Sequence, residues 1–81
     1  MTNKQIIANK LCYTELVYQR INKKLAMNFT KVQIERLIYH VVVNADLVER
    51  RGKNFYIYNN QNRVVVTVNV NNNRVITVNK M

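Results

Sequence analysis

Four residues in the second half of the chain could supply the parts of a metal-independent endoribonuclease: Lys53, Tyr56, Arg63 and Arg74. Such an enzyme uses the 2′-hydroxyl of RNA as its nucleophile and needs a base, an acid and cations around the reacting phosphate, which Lys, Tyr and Arg can provide. The one histidine, His40, lies beside an apolar helical stripe, which favours a packing role over proton transfer. These four residues are therefore candidate catalytic residues under the alternative hypothesis of a ribonuclease. The favoured hypothesis is that the protein is not an enzyme.

Metal ions and nucleotide cofactors are not expected from the residue types present. A metal site needs clustered His, Cys, Asp or Glu, whereas Cys12, His40 and the four acidic residues are scattered without ligand spacing. A loop that cradles phosphate needs several glycines, and this chain has only Gly52. A single cysteine cannot form an internal disulfide, which fits a reducing compartment. We predict no metal, no small-molecule cofactor and a cytoplasmic location.

Positive charge dominates the composition. Thirteen Lys and Arg against four Asp and Glu give a net charge of +9 in 81 residues, which favours a polyanionic partner. Cations that hold phosphate and tyrosines that stack on bases are a usual combination in nucleic-acid binding. The candidate binding residues are Arg50, Arg51, Lys53, Tyr56, Tyr58, Arg63, Thr67, Asn69, Arg74 and Lys80. The alternative stays open that the cations only keep a valine-rich sheet soluble and prevent edge pairing.

The elements that must position these residues follow from the spacing of apolar side chains. The hydrophobic period changes from about 3.6 to 2 near residue 46, which separates a helical part (3–44) from a sheet part (47–79). The helical spacing fails at Thr14, so we expect a break near residues 13–14, with Thr14 capping the second piece.

The helix that follows is marked by its own signals. Thr30 and Gln33 predict a capping box, and Phe29 and Ile34 stand at the positions of a hydrophobic staple. An apolar stripe then continues to Asn44, where a left-handed residue could end the helix. The first half of the chain therefore predicts two or three helices.

The second half predicts four strands, at residues 47–51, 54–58, 63–70 and 74–79, joined by short turns. Alternation directs one set of side chains to the core: Phe55, Ile57, Val64, Val66, Val68, Val70, Ile76 and Val78. Tyr56 and Tyr58 then lie on the opposite face beside Thr67, Asn69, Thr77 and Asn79. We expect an α+β fold, with the helices packed on one face of a four-stranded antiparallel meander. Eighty-one residues suffice for a single domain, 1–81.

The stretch RRGKNFYI at residues 50–57, followed by VTVN at 66–69 and VIT at 75–77, resembles a bacterial and mobile-element family of unknown function. The upstream stretch YTEL at 13–16 looks like that family's helix start. Members of the family often carry histidines in the last turn and at the end of the last strand, where this sequence has Asn71 and Asn79. Because an amide cannot transfer protons near neutral pH, the resemblance implies binding without catalysis.

The order of helices followed by a small antiparallel sheet is also similar to the small ribonuclease toxins grouped around barnase, colicins and RelE. That likeness concerns architecture, which does not by itself confer activity.

We therefore expect a small basic binding protein of phage or mobile-element origin, acting in the cytoplasm of a bacterial host. Its expected partner is RNA or an RNA-loaded host defence complex, which would make it an anti-CRISPR-like inhibitor. A ribonuclease toxin of a toxin–antitoxin system is the enzymatic alternative, and a structural homodimer formed through the polar sheet face or a strand edge is the third. No apolar run is long enough to span a membrane, so no membrane partner is expected.

Overall fold

The computed structural model describes residues 3–81, in which three helices precede four strands. The helices are α1 (Lys4–Lys10), α2 (Glu15–Leu25) and α3 (Lys31–Val43), and the strands are β1 (Leu47–Arg51), β2 (Asn54–Asn59), β3 (Val64–Asn69) and β4 (Val75–Lys80). All strands pair antiparallel with their neighbours in chain order. The predicted α+β fold with a meander sheet is confirmed, with three helices.

The helices begin where the local signals predict. The Thr30 hydroxyl accepts a hydrogen bond from the Gln33 backbone N–H at 3.2 Å, and the Gln33 side chain accepts one from the Thr30 N–H at 2.8 Å. These two bonds form the predicted capping box. Ile34 belongs to the core and Phe29 packs against it, as expected of a staple. Thr14 is the N-cap residue of α2, but its side chain makes no capping hydrogen bond.

The segment between α1 and α2 runs along the outer edge of β4. The Cys12 N–H donates to the Asn73 carbonyl at 3.0 Å, and the Cys12 carbonyl accepts from the Val75 N–H at 2.9 Å. These bonds form a parallel bridge between Cys12 and Arg74. The helical break therefore lies at the sheet edge, where the linker satisfies backbone groups that β4 would otherwise leave unpaired.

The helices cover one face of the sheet and bury its valines. α2 packs mainly on β4, while α3 packs on α1 and on β2. The apolar core formed in this way contains Ile7, Val17, Ile21, Leu25, Ile34, Ile38, Val41, Val42, Ile57, Val64, Val66, Val68, Val75 and Val78. Within residues 3–81, none of the helices has the length and apolar character needed to cross a membrane.

A β-bulge in β4 corrects the predicted face of one strand. Thr67 pairs with Thr77 but Val68 pairs with Val75, so Ile76 is the extra residue of β4. Val75 is consequently 1% exposed and belongs to the core. Ile76, which was predicted to join the core, lies outside it and is half-buried.

The end of β3 corrects a second detail. Val70 was predicted as the last inward residue of this strand, but β3 ends at Asn69 and Val70 lies in the turn. The cause is the Asn69 side chain, whose Oδ1 accepts the backbone N–H of Asn71 at 2.8 Å and turns the chain. The remaining inward assignments agree with the burial of Ile57, Val64, Val66, Val68 and Val78.

Candidate functional site

The strand register determines which side chains share the face of the sheet opposite the helices, called the open face below. Directly paired residues point to the same side of a sheet. One row across the open face is Glu49, Tyr56, Thr67 and Thr77, and the next row is Leu47, Tyr58, Val65 and Asn79. The central strand β2 therefore presents both Tyr56 and Tyr58 on the side away from the core.

Arg51 joins the two tyrosines into one cluster on the open face. Its guanidinium carbon lies 4.2 Å from the centroid of the Tyr56 ring. Its Nη2 donates to the Tyr58 hydroxyl at 3.1 Å, and its Nε lies 2.8 Å from Oε1 of Glu49. A cation–π contact, a hydrogen bond and an ion pair together hold the guanidinium over the sheet. We call Glu49, Arg51, Tyr56 and Tyr58 the Arg51 cluster.

The Arg51 cluster offers flat groups at a solvent-exposed surface. Tyrosine rings and arginine guanidinium planes both stack on unpaired bases in RNA complexes. Arg51 and Glu49 retain about half of their side-chain exposure, so their ion pair adds little stability and can rearrange around a ligand. Lys53 is exposed in the turn between β1 and β2, two residues after Arg51. Gly52, the other residue of this predicted two-residue turn, has φ +60°.

Two polar residues predicted to bind on this face are used by the fold. Thr67 lies on the open face but is only 6% exposed, between its cross-strand neighbours Tyr56 and Thr77. Asn69 holds the turn that follows β3 through its side-chain oxygen. Neither side chain is free to contact a ligand in this arrangement.

The other predicted cations lie away from the open face. Arg50 pairs with Phe55 and Lys80 pairs with Val64, and both partners are on the helix side of the sheet. Arg63, with φ +55° in the turn before β3, lies with Lys80 at the mouth of an apolar cavity.

Arg74 lies in a groove between α2 and β4, next to Arg20. The predicted binding residues therefore do not form one patch. The structure brings Arg51, Tyr56 and Tyr58 into contact, and Lys53 lies in the exposed turn that follows Arg51.

The four candidate catalytic residues are also not brought together. Lys53 precedes β2 and Arg63 follows it, so a strand of six residues, spanning about 20 Å, separates their backbones. Tyr56 lies between them on the open face, and Arg74 lies against α2. Residues 3–81 also contain no group of three His, Cys, Asp or Glu side chains that could hold a metal ion. This arrangement does not place a base, an acid and a cation around one phosphate.

A second basic surface, which the sequence analysis did not single out, covers the exposed side of α2. Arg20, Lys23 and Lys24 follow the i, i+3, i+4 spacing that places side chains on one helix face. Leu16, which is exposed, and Gln19 complete this surface. The helical spacing of its cations could have indicated it. It contains no aromatic side chain among these residues, so it can attract phosphate but cannot stack bases.

A pair of tyrosines links α2 to α3 through an acidic residue. The rings of Tyr13 and Tyr18 stack with centroids 5.4 Å apart, and the Tyr18 hydroxyl donates to Glu35 at 2.6 Å. Partial burial and this hydrogen bond raise the pKa of Tyr18 to about 12. Burial, with Glu35 nearby, raises the pKa of Tyr13 well above its usual range. Both side chains are therefore protonated at neutral pH and serve the packing of the helices.

Comparisons with known proteins place the chain in a family without giving it an activity. No curated protein and no solved structure matches it. A family model described as "Protein of unknown function (DUF3781)" matches residues 5–79. The match covers the helices as well as the sheet. The chain, matched over nearly its whole length, belongs to the DUF3781 family of proteins of unknown function.

Proposed function

We propose that this protein binds single-stranded RNA on the open face of its sheet. In this proposal Tyr56, Tyr58 and the Arg51 guanidinium stack on bases, and Lys53 contacts the backbone phosphate. The observation that supports it best is the Arg51 cluster, in which the guanidinium lies 4.2 Å from the Tyr56 ring centroid on the face opposite the helices.

The charge distribution supports a polyanionic ligand. Every acidic side chain of the chain has a partner within the protein: Glu15 contacts Lys31, Glu35 accepts from Tyr18, Asp46 accepts from the Asn60 N–H, and Glu49 contacts Arg51. By contrast, only two of the thirteen lysines and arginines form an ion pair in the part of the chain that the structure describes. The surface field is therefore positive, which attracts nucleic acid at low ionic strength.

The shape of the open face favours single strands over duplexes. In a duplex the faces of the bases are stacked within the helix, whereas unpaired bases can be laid on aromatic side chains. Four strands about 4.8 Å apart make a surface about 15 Å wide, which accommodates two or three bases. The tyrosines are on β2, one of the two inner strands, where a bound RNA strand would have sheet on both sides.

A charge-neutralising experiment tests which surface holds the RNA. We expect fluorescently labelled single-stranded RNA to bind the double variant Arg51→Gln/Lys53→Gln more weakly than the unmodified protein. The slope of log affinity against log salt should become shallower by about 0.7, because the variant loses the phosphate contact of Lys53 and each such contact on a single strand contributes about 0.7. The matched control, Lys23→Gln/Lys24→Gln, removes the same charge from α2 and should have a smaller effect. An equal or larger effect of the control would move the binding surface to α2.

A second pair of variants tests stacking. Tyr56→Ala should weaken binding by about 1–3 kcal/mol without changing the salt slope, because stacking releases no ions. Tyr39→Ala is the matched control, since Tyr39 is a tyrosine on α3 that is 42% exposed. Binding that is unaffected by Tyr56→Ala, or competed as well by duplex RNA as by single-stranded RNA, would contradict the proposal.

A more specific version of this proposal is that the partner is an RNA-loaded protein complex. A pull-down from cells, with and without nuclease treatment, distinguishes binding to RNA itself from binding to such a complex. Loss of all partners on nuclease treatment supports RNA itself, whereas a protein partner that stays bound would redirect the proposal to that protein.

A further inference from the structure

An apolar cavity of about 350 Å³ opens between α2, α3 and the end of the sheet that carries the β2–β3 turn. Its walls are apolar side chains of both helices, of the loop between them and of the two last strands, including Leu25, Phe29, Leu37, Ile38, Val41 and Val78. The size and apolar lining are those of a small-molecule site. The cavity lies on the helix side of the sheet, so a ligand in it would not contact the proposed RNA surface.

The loop between α2 and α3 keeps this cavity open. Ala26 ends α2 in the left-handed conformation with φ +54°, and the Met27 N–H donates back to the Asn22 carbonyl at 2.9 Å. The Asn22 side chain then binds both backbone groups of Phe29, each at 3.0 Å. These bonds fix the backbone of the loop, and the side chains of Met27 and Phe29 form one wall of the cavity.

Two side chains that line the cavity are charged, and both are cations. Arg63 and Lys80 both line it, and both are exposed. Neither forms an ion pair within the described residues 3–81, and no lining residue is acidic. Arg63 is fixed in position because its carbonyl accepts the Met81 N–H at 2.8 Å. The cavity is therefore apolar inside and cationic at one end.

We propose that this cavity binds a medium-chain carboxylate, with the alkyl chain against the apolar walls and the carboxylate on Arg63 and Lys80. A carbon with its hydrogens fills about 30 Å³, the share of one water molecule in the liquid, so the cavity accommodates about ten to twelve carbons. Arg63 supplies a fork of N–H donors that fits a carboxylate, and Lys80 supplies a second charge. A nucleobase is a poorer occupant because the polar side chains of the lining are confined to Asn62, Arg63 and Lys80, and the remaining walls are apolar.

Calorimetric titration with octanoate, decanoate and dodecanoate, all below their micelle concentrations, tests the alkyl part. Each added methylene should tighten binding about fourfold, so decanoate should bind roughly fifteenfold tighter than octanoate. The gain should stop when the chain outgrows the cavity. Decanol and decyltrimethylammonium carry the same alkyl chain without the negative charge and should bind at least about tenfold more weakly. Equal binding of either compound and decanoate would overturn the assignment of the cations.

Variants test the mouth of the cavity. Arg63→Gln/Lys80→Gln should weaken decanoate about tenfold or more and leave decanol unchanged. The control Lys10→Gln/Arg36→Gln removes two exposed helical charges that do not line the cavity and should change neither. An equal loss of decanoate binding in the control would show that net charge alone is responsible and would overturn the proposal.

A charge reversal at Met27 gives a second test that does not disturb the core. Met27 is 52% exposed and lines the cavity, so Met27→Glu should fold normally, which circular dichroism can verify. The introduced carboxylate should weaken decanoate and strengthen decyltrimethylammonium. Unchanged binding of both would overturn the proposed site.

Discussion

Asn59 gives a direct test of how the helices are joined to the sheet. It is the last residue of β2 and only 1% exposed. Its Nδ2 donates to the carbonyls of Val41 at 3.1 Å and Asn44 at 3.3 Å, and its Oδ1 accepts the Asn62 N–H at 2.9 Å. The two carbonyls belong to the end of α3, where the helix has no internal donors left for them. One side chain therefore caps α3 and holds the β2–β3 turn.

Asn59→Ala should destabilise the protein by about 2–4 kcal/mol. The change removes three hydrogen bonds, each worth about 0.5–1.5 kcal/mol net, and leaves buried groups without partners. This is a large share of the roughly 5–15 kcal/mol that stabilises most small proteins. Urea unfolding monitored by circular dichroism measures the loss. Asn71→Ala is the control, because Asn71 is an exposed asparagine in the β3–β4 turn.

Asn59→Asp sharpens this test because it keeps the shape and replaces the donor with an acceptor. The introduced carboxyl would face two carbonyls in a buried place, so its pKa in the folded state should lie above its unfolded value of about 3.9. A raised folded pKa gives stability that is present below the unfolded pKa and lost as pH rises through the folded one. The variant should therefore lose stability, relative to the unmodified protein, between pH 4 and pH 7. A loss no greater than that of Asn71→Asp at both pH values would refute the capping role.

Two further predictions concern the bulge and the tyrosine pair. Val75→Asp should unfold the protein while Ile76→Asp leaves it folded by circular dichroism, because the bulge buries Val75 and not Ile76; equal damage would contradict the bulged register. The pKa of Tyr18 is raised to about 12 in the folded protein, so its hydrogen bond to Glu35 contributes fully below pH 10 and is lost as pH rises through 12. Urea unfolding between pH 9 and 12 should show a steeper loss for the unmodified protein than for Tyr18→Phe, and parallel losses would show that Tyr18 is not responsible.

Most of the fold could be predicted because its determinants are local. The capping box of Thr30 and Gln33 sets the start of α3, and the alternation of valines in β3 sets which face is buried. The bulge could not be predicted in this way. The stretch VITV at 75–78 is apolar at three of its four positions, so its composition does not show where an extra residue enters the pairing with β3.

The candidate site was predicted in part for a related reason. Alternation correctly placed Tyr56 and Tyr58 on the open face, but closeness in sequence does not group cations on one surface. Arg50 and Arg51 are neighbours in the chain and consequently point to opposite sides of β1. Asn59 falls just after the predicted strand 54–58, and its role as the cap of α3 depends on a contact made 18 residues away in the chain.

The sheet divides the positive charge between two chemically different surfaces. On the open face, Arg51 lies against tyrosine rings and a carboxylate, which suits contact with flat, charged ligands. On the helix side, Arg63 and Lys80 border the walls of the apolar cavity. Because neither cation forms an ion pair within residues 3–81, an anion with an apolar chain complements both the charge and the walls. Lys53 and Arg63 are separated by the length of β2, about 20 Å, and the screening length at physiological salt is about 8 Å. Neutralising one surface therefore changes the potential at the other only slightly, so RNA binding and carboxylate binding are independent tests of the two proposals.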